Sequence, residues 1–266
     1  MTRMDDLIKW FDGRGRVMVA LSGGVDSALV AYAAHRALGE RAVAVTADYK
    51  TLAQEELDSA RKVCSEIGIR HVITEYNELD NPDFVKNDKD RCFHCRTQLA
   101  EHLAMVLKAE NADTIVDGTN IDDLGEYRPG IAALREGGVK SPLVEVGLGK
   151  EKIRDCAREA GLSVYDRPSN SCLASRIPWG LEVTAEKLAR IEKGENIVKH
   201  LFGARQVRVR DLEKTARVEV GQDELHLMSD SQKVSILTER LRELGFDQVV
   251  IDQDGYRPGK LNVITD

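Results

Sequence analysis

The chain has 266 residues, five cysteines and a formal net charge of −7 at pH 7. That length can bury one large or two modest cores, and the acidic balance excludes a protein that coats nucleic acid non-specifically, so nucleic acid is not the expected partner. No apolar run approaches the ~20 residues that cross a bilayer and no leader pattern opens the chain, so a cytoplasmic protein without a membrane partner is expected. In that reducing setting the cysteines are poor disulfide candidates.

In chain order, the apolar run Val17 to Leu21 predicts a strand, Ser22 to Ser27 a glycine-rich turn, and Ala28 to Leu38 a helix. Residues 41–47 read as a second strand, Thr51 to Ile67 as a helix and His71 to Tyr76 as a third strand. A helix from about Thr97 to Ala109, a strand at Thr114 to Val116 and a helix from about Lys150 to Ala160 continue the alternation. This order predicts an α/β fold, a doubly wound parallel sheet covered on both faces. After Pro168 the pattern changes to a helix near Thr184 to Phe202, strands at Gln206 to Arg210 and Ala216 to Val220, a helix from Ser231 to Leu244 and a strand at Gln248 to Asp252. A smaller C-terminal α+β domain follows, with the boundary between Tyr165 and Asn170, dividing the chain into 1–167 and 168–266. Tyr-Arg-Pro-Gly occurs at 127–130 and 256–259 with unrelated flanks and reads as turn chemistry, not as a repeat.

The turn Ser22-Gly23-Gly24-Val25-Asp26-Ser27 carries the most chemistry. Two glycines let backbone N–H groups curl around an anion, and the following helix adds its positive end, making a phosphate cradle. A bare tight turn is the plainer alternative. No Lys-Ser/Thr closes a longer glycine-spaced segment, so the loop is not a Walker-type loop. It resembles the PP-loop of ATP pyrophosphatases, which implies cleavage of ATP to AMP and pyrophosphate with adenylation of a substrate oxygen.

The cysteines divide. Cys64 and Cys156 fall at apolar positions of predicted helices and read as core. Cys92 and Cys95 lie in Cys-Phe-His-Cys within the polar stretch Lys86 to Arg96, which suggests metal ligation or redox chemistry. Cys172 sits in a loop-like stretch flanked by Arg167 and Arg176, cations that favour a thiolate, and is a candidate nucleophile or sulfur donor. Three such thiolates can hold a cubane iron–sulfur cluster through three irons. A zinc site with His94 or a distant histidine as fourth ligand is the alternative, although His94 between the two cysteines is awkwardly placed.

Alternation in the second domain puts Val207 and Val209 on one strand face and Arg208 and Arg210 on the other; Val218 and Val220 likewise oppose Arg217 and Glu219. Paired as a hairpin, the strands gather three arginines and a glutamate, a surface suited to phosphate or else a solvated polar face.

With SGGVDS at 22–27, DRCFHC at 90–95, DGTNIDD at 117–123, YRPG at 127–130, SPL at 141–143, PSNSCLASRIPWG at 168–180, RVR at 208–210 and ARVEV at 216–220, the sequence resembles the LarE family over nearly its whole length. The resemblance implies an ATP-dependent sulfur transferase that adenylates a carboxylate of pyridinium-3,5-biscarboxylic acid mononucleotide and replaces the adenylate by sulfur, in the biosynthesis of the nickel-pincer cofactor of lactate racemase. It implies Mg²⁺ with the ATP, the mononucleotide as small-molecule partner and nickel-cofactor biosynthesis proteins as further partners; a homo-oligomer is expected. Members with only the cysteine matching Cys172 consume it to dehydroalanine. Members with the pair matching Cys92 and Cys95 are thought to bind a [4Fe-4S] cluster, and this chain has all three.

The resemblance assigns Ser22, Gly23, Gly24, Asp26 and Ser27 to the ATP phosphates, with Asp26 and Cys172 as catalytic residues. Thr46, Ala47 and Asp48 at the end of the second strand are expected at the adenine, and Gly118, Thr119 and Asn120 at the same edge. Asp122, Asp123 or Glu126 are candidates for magnesium, or a solvated loop. Arg208 and Arg210, with Arg176 as a third, are assigned the substrate phosphate. The rivals are a tRNA thiolation enzyme, an ammonia-using adenylating ligase like NAD or GMP synthetases, and a nucleotide-sensing module with structural zinc.

Overall fold

Val17, Met18 and Val19 are all buried, so the strand that carries them has no solvent face and must lie within a sheet covered on both sides. In the computed structural model, which describes residues 3–125, 129–257 and 259–261, that strand is β1 (Val17–Ala20). It is joined by β2 (Ala42–Asp48), β3 (Arg70–Glu75) and β4 (Thr114–Val116) in the order β3-β2-β1-β4, all neighbours parallel. The helices of this part are α1 (Arg3–Trp10), α2 (Val25–Leu38) and α3 (Gln54–Ile67). A short helix α4 (Pro82–Val85) is followed by α5 (Arg91–Ala109), α6 (Pro129–Glu136), α7 (Pro142–Glu145) and α8 (Lys150–Glu159).

Period-two alternation sends Val17, Val19, Ala42 and Ala44 to one face, where they pack with α2, with Ala60 and Val63 of α3 and with Ile153 and Ala157 of α8. Met18, Val43 and Val45 point to the opposite face, against Leu99 and Leu103 of α5 and Leu134 of α6. The sheet is therefore doubly wound, as the alternation of elements predicts. Strand order reverses between β1 and β4, and a crevice for ligand opens beyond the carboxyl ends at such a point.

The chain divides into two compact units, residues up to 78 with 90–170, and residues 79–89 with 171 onward. The second unit is built on α9 (Ala185–Phe202), β5 (Val207–Leu212), β6 (Thr215–Val220), α10 (Ser231–Glu243) and β7 (Gln248–Ile251). β5 and β6 pair antiparallel and β7 adds parallel to β6. Val207, Val209, Val218 and Val220 form one core with Val198 of α9 and Leu237 and Leu241 of α10.

Two features depart from the sequence reading. α5 begins at Arg91, not near Thr97, so Cys92 and Cys95 stand on its first turn rather than in a loop. The polar first turn shows no apolar period, and it is held by close packing: a Cβ on Gly130 of α6 would stand 2.7 Å from Arg96 Cγ and 3.2 Å from the Cys92 carbonyl oxygen. Residues 79–89 also pack with the second unit, which no local pattern marks. Asn87 pins them: fully buried with φ 57°, it donates Nδ2 to the carbonyls of Pro178 at 2.8 Å and Leu181 at 2.6 Å, while Gly180 N donates to its carbonyl at 3.0 Å. Asn tolerates the left-handed backbone that a bulkier residue resists.

Asn87→Ala is expected to destabilise the protein by about 1–3 kcal/mol, because two part-buried carbonyls lose their donor. The check is a denaturant titration, with limited proteolysis showing new cleavage within 79–89.

Candidate active site

β1 ends at the loop Ser22–Ser27, and its conformation follows from glycine. Gly23 has φ 81°, and a Cβ there would stand 2.3 Å from the Glu56 carbonyl oxygen. Gly24 is the N-cap of α2 and brings no side chain to the cap, so the helix's first N–H groups face the crevice. The Ser27 hydroxyl donates to the Gly24 carbonyl at 3.2 Å and accepts from Ser22 N at 3.2 Å, which closes the loop on itself. The loop after β4 comes against it: a Cβ on Gly118 would stand 2.5 Å from Ser27 N.

That second loop is a ladder of side-chain turns. Asp117 accepts from Thr119 N at 3.1 Å and Thr119 Oγ1 at 2.7 Å, Asn120 Oδ1 accepts from Asp122 N at 2.9 Å, and Asp123 Oδ2 accepts from Asn120 N at 3.1 Å. Asp122 accepts from Lys150 N at 2.6 Å, so it caps the start of α8. Glu126 lies outside the described residues, as do Tyr127 and Arg128 of the first Tyr-Arg-Pro-Gly.

Lys150 closes the crevice. Its ammonium forms an ion pair with Asp26 Oδ2, while Asp26 Oδ1 is buried with no hydrogen-bond partner among the described residues. Burial raises the Asp26 carboxyl above the usual carboxylate range, Lys150 pulls it back down, and the nearby Asp123 charge raises it again. At the end of β2, Thr46 is buried and its hydroxyl donates to the Leu21 carbonyl at 2.8 Å and meets His71 Nε2 at 2.8 Å. Its role is to tie β2 to the end of β1. Ala47 is buried and Asp48 half-buried beyond it.

Cys64 and Cys156 are buried in α3 and α8, and burial pushes the Cys64 thiol up to about 12. Cys92 is exposed and Cys95 half-buried. Three residues apart on α5, they share a face, whereas His94, two residues from Cys92, is turned away from it. A pair of thiols so placed fits a soft metal or an iron–sulfur cluster, and His94 does not fit with it. The same face carries His102, two turns on, whose ring lies 5.1 Å from that of Tyr76. Cys172 belongs to the second unit, at the N-cap of a short 3-10 turn, Leu173–Arg176. Among the described residues no three His, Cys, Asp or Glu side chains are gathered to hold a metal ion, and no helix is long and apolar enough to cross a membrane.

In the second unit the hairpin register sets Arg208 opposite Glu219 and Arg210 opposite Arg217, gathering the expected charges on one face. The face is not a solvated one: Arg176 is 0% exposed, Arg208 3%, Arg210 5% and Glu219 0%. Arg210 donates Nε and Nη2 to Glu219 Oε2 at 2.9 and 2.7 Å and Nη1 to the Ser175 carbonyl at 3.1 Å. Arg176 forms a bidentate pair with Glu195, at 2.7 and 3.1 Å, and its Nη1 donates to the carbonyls of Ser171 at 2.6 Å and Cys172 at 2.9 Å. Burial works against both members of that pair, but each holds the other charged, Arg176 above and Glu195 below its ordinary value. Burial and the adjacent Arg176 lower Arg208 to about 10, and the Tyr256 ring centroid lies 5.0 Å from its guanidinium.

A match to the asparagine synthase family spans residues 11–136, the first three strands, β4 and the loops between them. An uncharacterized protein of Synechocystis sp. is 38% identical over 98% of this chain and 97% of its own length. The pyridinium-3,5-bisthiocarboxylic acid mononucleotide synthase of Lactiplantibacillus plantarum is 30% identical over 93% of this chain and 89% of its own. The chain belongs to the LarE family, a group of PP-loop ATP pyrophosphatases. The B subunit of a GMP synthase from Archaeoglobus fulgidus is 27% identical over 69% of this chain and 64% of that subunit.

The loop at 22–27 and the cysteines stand out in the sequence, whereas the partners of Asp26, Arg176 and Arg167 do not. Lys150 reads as a helix start, and nothing in its spacing links it to Asp26, 124 residues away. Glu195 sits on an apolar helix face, where a lone acid among Leu188, Ile191 and Val198 is the one local sign of a buried partner. Arg167, read as a flank of Cys172, is bound by Glu56 through two hydrogen bonds, at 2.9 and 2.7 Å.

Lys150→Met leaves Asp26 buried without its cation, so its carboxyl rises further. ATP-dependent pyrophosphate release is expected to fall about tenfold or more, with the acid limb of its pH profile moved to higher pH. An unmoved limb would separate Lys150 from the ionisation of Asp26.

Proposed function

We propose that the protein is an ATP-dependent sulfur transferase that adenylates a carboxylate of pyridinium-3,5-biscarboxylic acid mononucleotide and converts it to a thiocarboxylate, on the way to a nickel-pincer nucleotide. The observation that carries this reading is the end of β1, where the uncapped start of α2, Asp26 and Lys150 are brought together as a triphosphate site requires. The identity shared with the Lactiplantibacillus plantarum synthase supports the choice of substrate.

In this reading Ser22, Gly23, Gly24 and Ser27 grip the β,γ-phosphates, with Gly118, Thr119 and Asn120 as the opposite wall and Thr46, Ala47 and Asp48 beside the adenine. The ATP arrives with Mg²⁺, for which Asp26 and Asp123 are the acids at hand, and Lys150 balances charge on the departing pyrophosphate. The substrate carboxylate attacks the α-phosphorus and the bond to the β-phosphate oxygen breaks, giving acyl-adenylate and pyrophosphate. Sulfur then displaces AMP. In the second unit the buried face holds three guanidiniums against two carboxylates, and its excess positive charge suits a phosphate monoester at Arg208 and Arg210. Arg176 acts on the cysteine loop through the Ser171 and Cys172 carbonyls rather than on the phosphate directly.

Cys92, Cys95 and Cys172 are proposed to hold a [4Fe-4S] cluster, which would supply inorganic sulfide so that Cys172 is not consumed. Anaerobic purification is expected to give about four irons and four acid-labile sulfides per chain, lost in Cys92→Ala. Cys172→Ala should keep AMP formation and lose thiocarboxylate. Iron-free protein whose Cys172 loses hydrogen sulfide on turnover would replace the cluster by a sacrificial cysteine, and stoichiometric zinc would make Cys92 and Cys95 structural. Absence of AMP with ATP and the dicarboxylate would overturn the assignment as a whole.

A further inference from the structure

The carbonyl of Gly23, in the loop that would grip ATP, accepts from Ser59 Oγ at 2.8 Å and from Arg167 Nη1 at 3.2 Å. Arg167 is seated on Glu56 by a two-pronged ion pair, and its Nη2 also donates to the Glu55 carbonyl at 3.3 Å. Three residues further on, Asn170 Nδ2 donates to the carboxylates of both Glu55 and Glu56, each at 2.8 Å. Arg154 of α8 holds the same stretch of backbone through the carbonyls of Tyr165 at 2.7 Å and Arg167 at 2.9 Å, and its charge reaches Asp26. The chain from Tyr165 to Asn170 is thus fastened at several points to groups that touch the nucleotide loop, and Cys172 follows two residues later.

A fork of this geometry transmits displacement, because a bidentate guanidinium–carboxylate pair fixes orientation as well as distance. When a polyanion pulls on the N–H groups of residues 23–27, the Gly23 peptide reorients, and its carbonyl is the one that Arg167 holds. We infer that Arg167, seated on Glu56, is a positioning residue that makes the segment ahead of Cys172 respond to nucleotide in the loop. The inference rests on the proposed reading of the loop as the ATP site and of Cys172 as a sulfur-bearing residue.

The test is hydrogen exchange on the full-length protein, as isolated, with and without Mg²⁺ and a non-hydrolysable ATP analogue. The analogue is expected to slow exchange of the peptide covering 165–172 about fivefold in the native chain. Arg167→Lys and Glu56→Gln should bind the analogue within about threefold of native, lose that slowing, and give about tenfold less thiocarboxylate per AMP released. A clamp that is only structural would speed exchange equally in both states and leave the ratio of thiocarboxylate to AMP unchanged, which overturns the inference. Analogue binding to native protein without slowing at 165–172 overturns it too while leaving the proposed function standing, whereas failure to bind overturns both. Should Glu56→Gln fail to fold, Arg167→Lys alone is read in the same way, and Asn170→Ala, which keeps the ion pair, is expected to retain the slowing; its loss there would overturn the assignment to Arg167.

Discussion

Asp26 is a largely buried carboxylate at the first turn of α2, and the ammonium of Lys150 works against the cost of burying it there. The dipole end of α2 favours an anion, but burial of the carboxyl opposes its ionisation, and of the neighbouring charges Asp123 opposes it as well. The pair also fixes positions. Lys150 begins α8, its backbone N–H is held by Asp122, and its side chain reaches Asp26, so a single residue joins the loop after β1, the loop after β4 and the start of α8. Gly118 completes the arrangement by omitting the atom that would keep the two loops apart.

The same logic runs through the second unit with the signs exchanged. Arg208 and Arg210 of β5 are buried together with Arg176 of the Cys172 loop, and the two buried carboxylates that bind among them, Glu219 and Glu195, do not balance the three guanidiniums. A cation in that setting is costly, as the lowered value of Arg208 shows. Glu195 does the largest share of the compensation. It binds Arg176 through both oxygens and accepts from the Val209 amide at 3.2 Å, so helix α9, strand β5 and the loop of Cys172 are held by one carboxylate.

What the sequence made legible follows from where the determining forces are local. Burial on both faces leaves continuous apolar runs, so β1 and β2 could be read directly, and a glycine pair between strand and helix has few other uses. Period-two alternation placed Arg208, Arg210 and Glu219 on one face, but not whether water reached it, because burial of that face depends on α9 and on the Cys172 loop rather than on the strands. The first turn of α5 was illegible for a related reason: its residues are polar, and Gly130 on another helix permits the packing that holds it. Lys150, Glu56 and Glu195 escaped because an ion pair leaves no spacing in the chain when its members are more than a few turns apart.

The excursion at Asn87 bears on how such a chain can change over evolutionary time. The second unit is completed by Phe84 and Asn87, which are encoded inside the stretch that makes the first. A single recombination point after residue 170 would deliver a second unit lacking its buried asparagine and leave the first with Phe84 uncovered. Neither unit is therefore a contiguous cassette, and exchange of either at one cut would break its own packing.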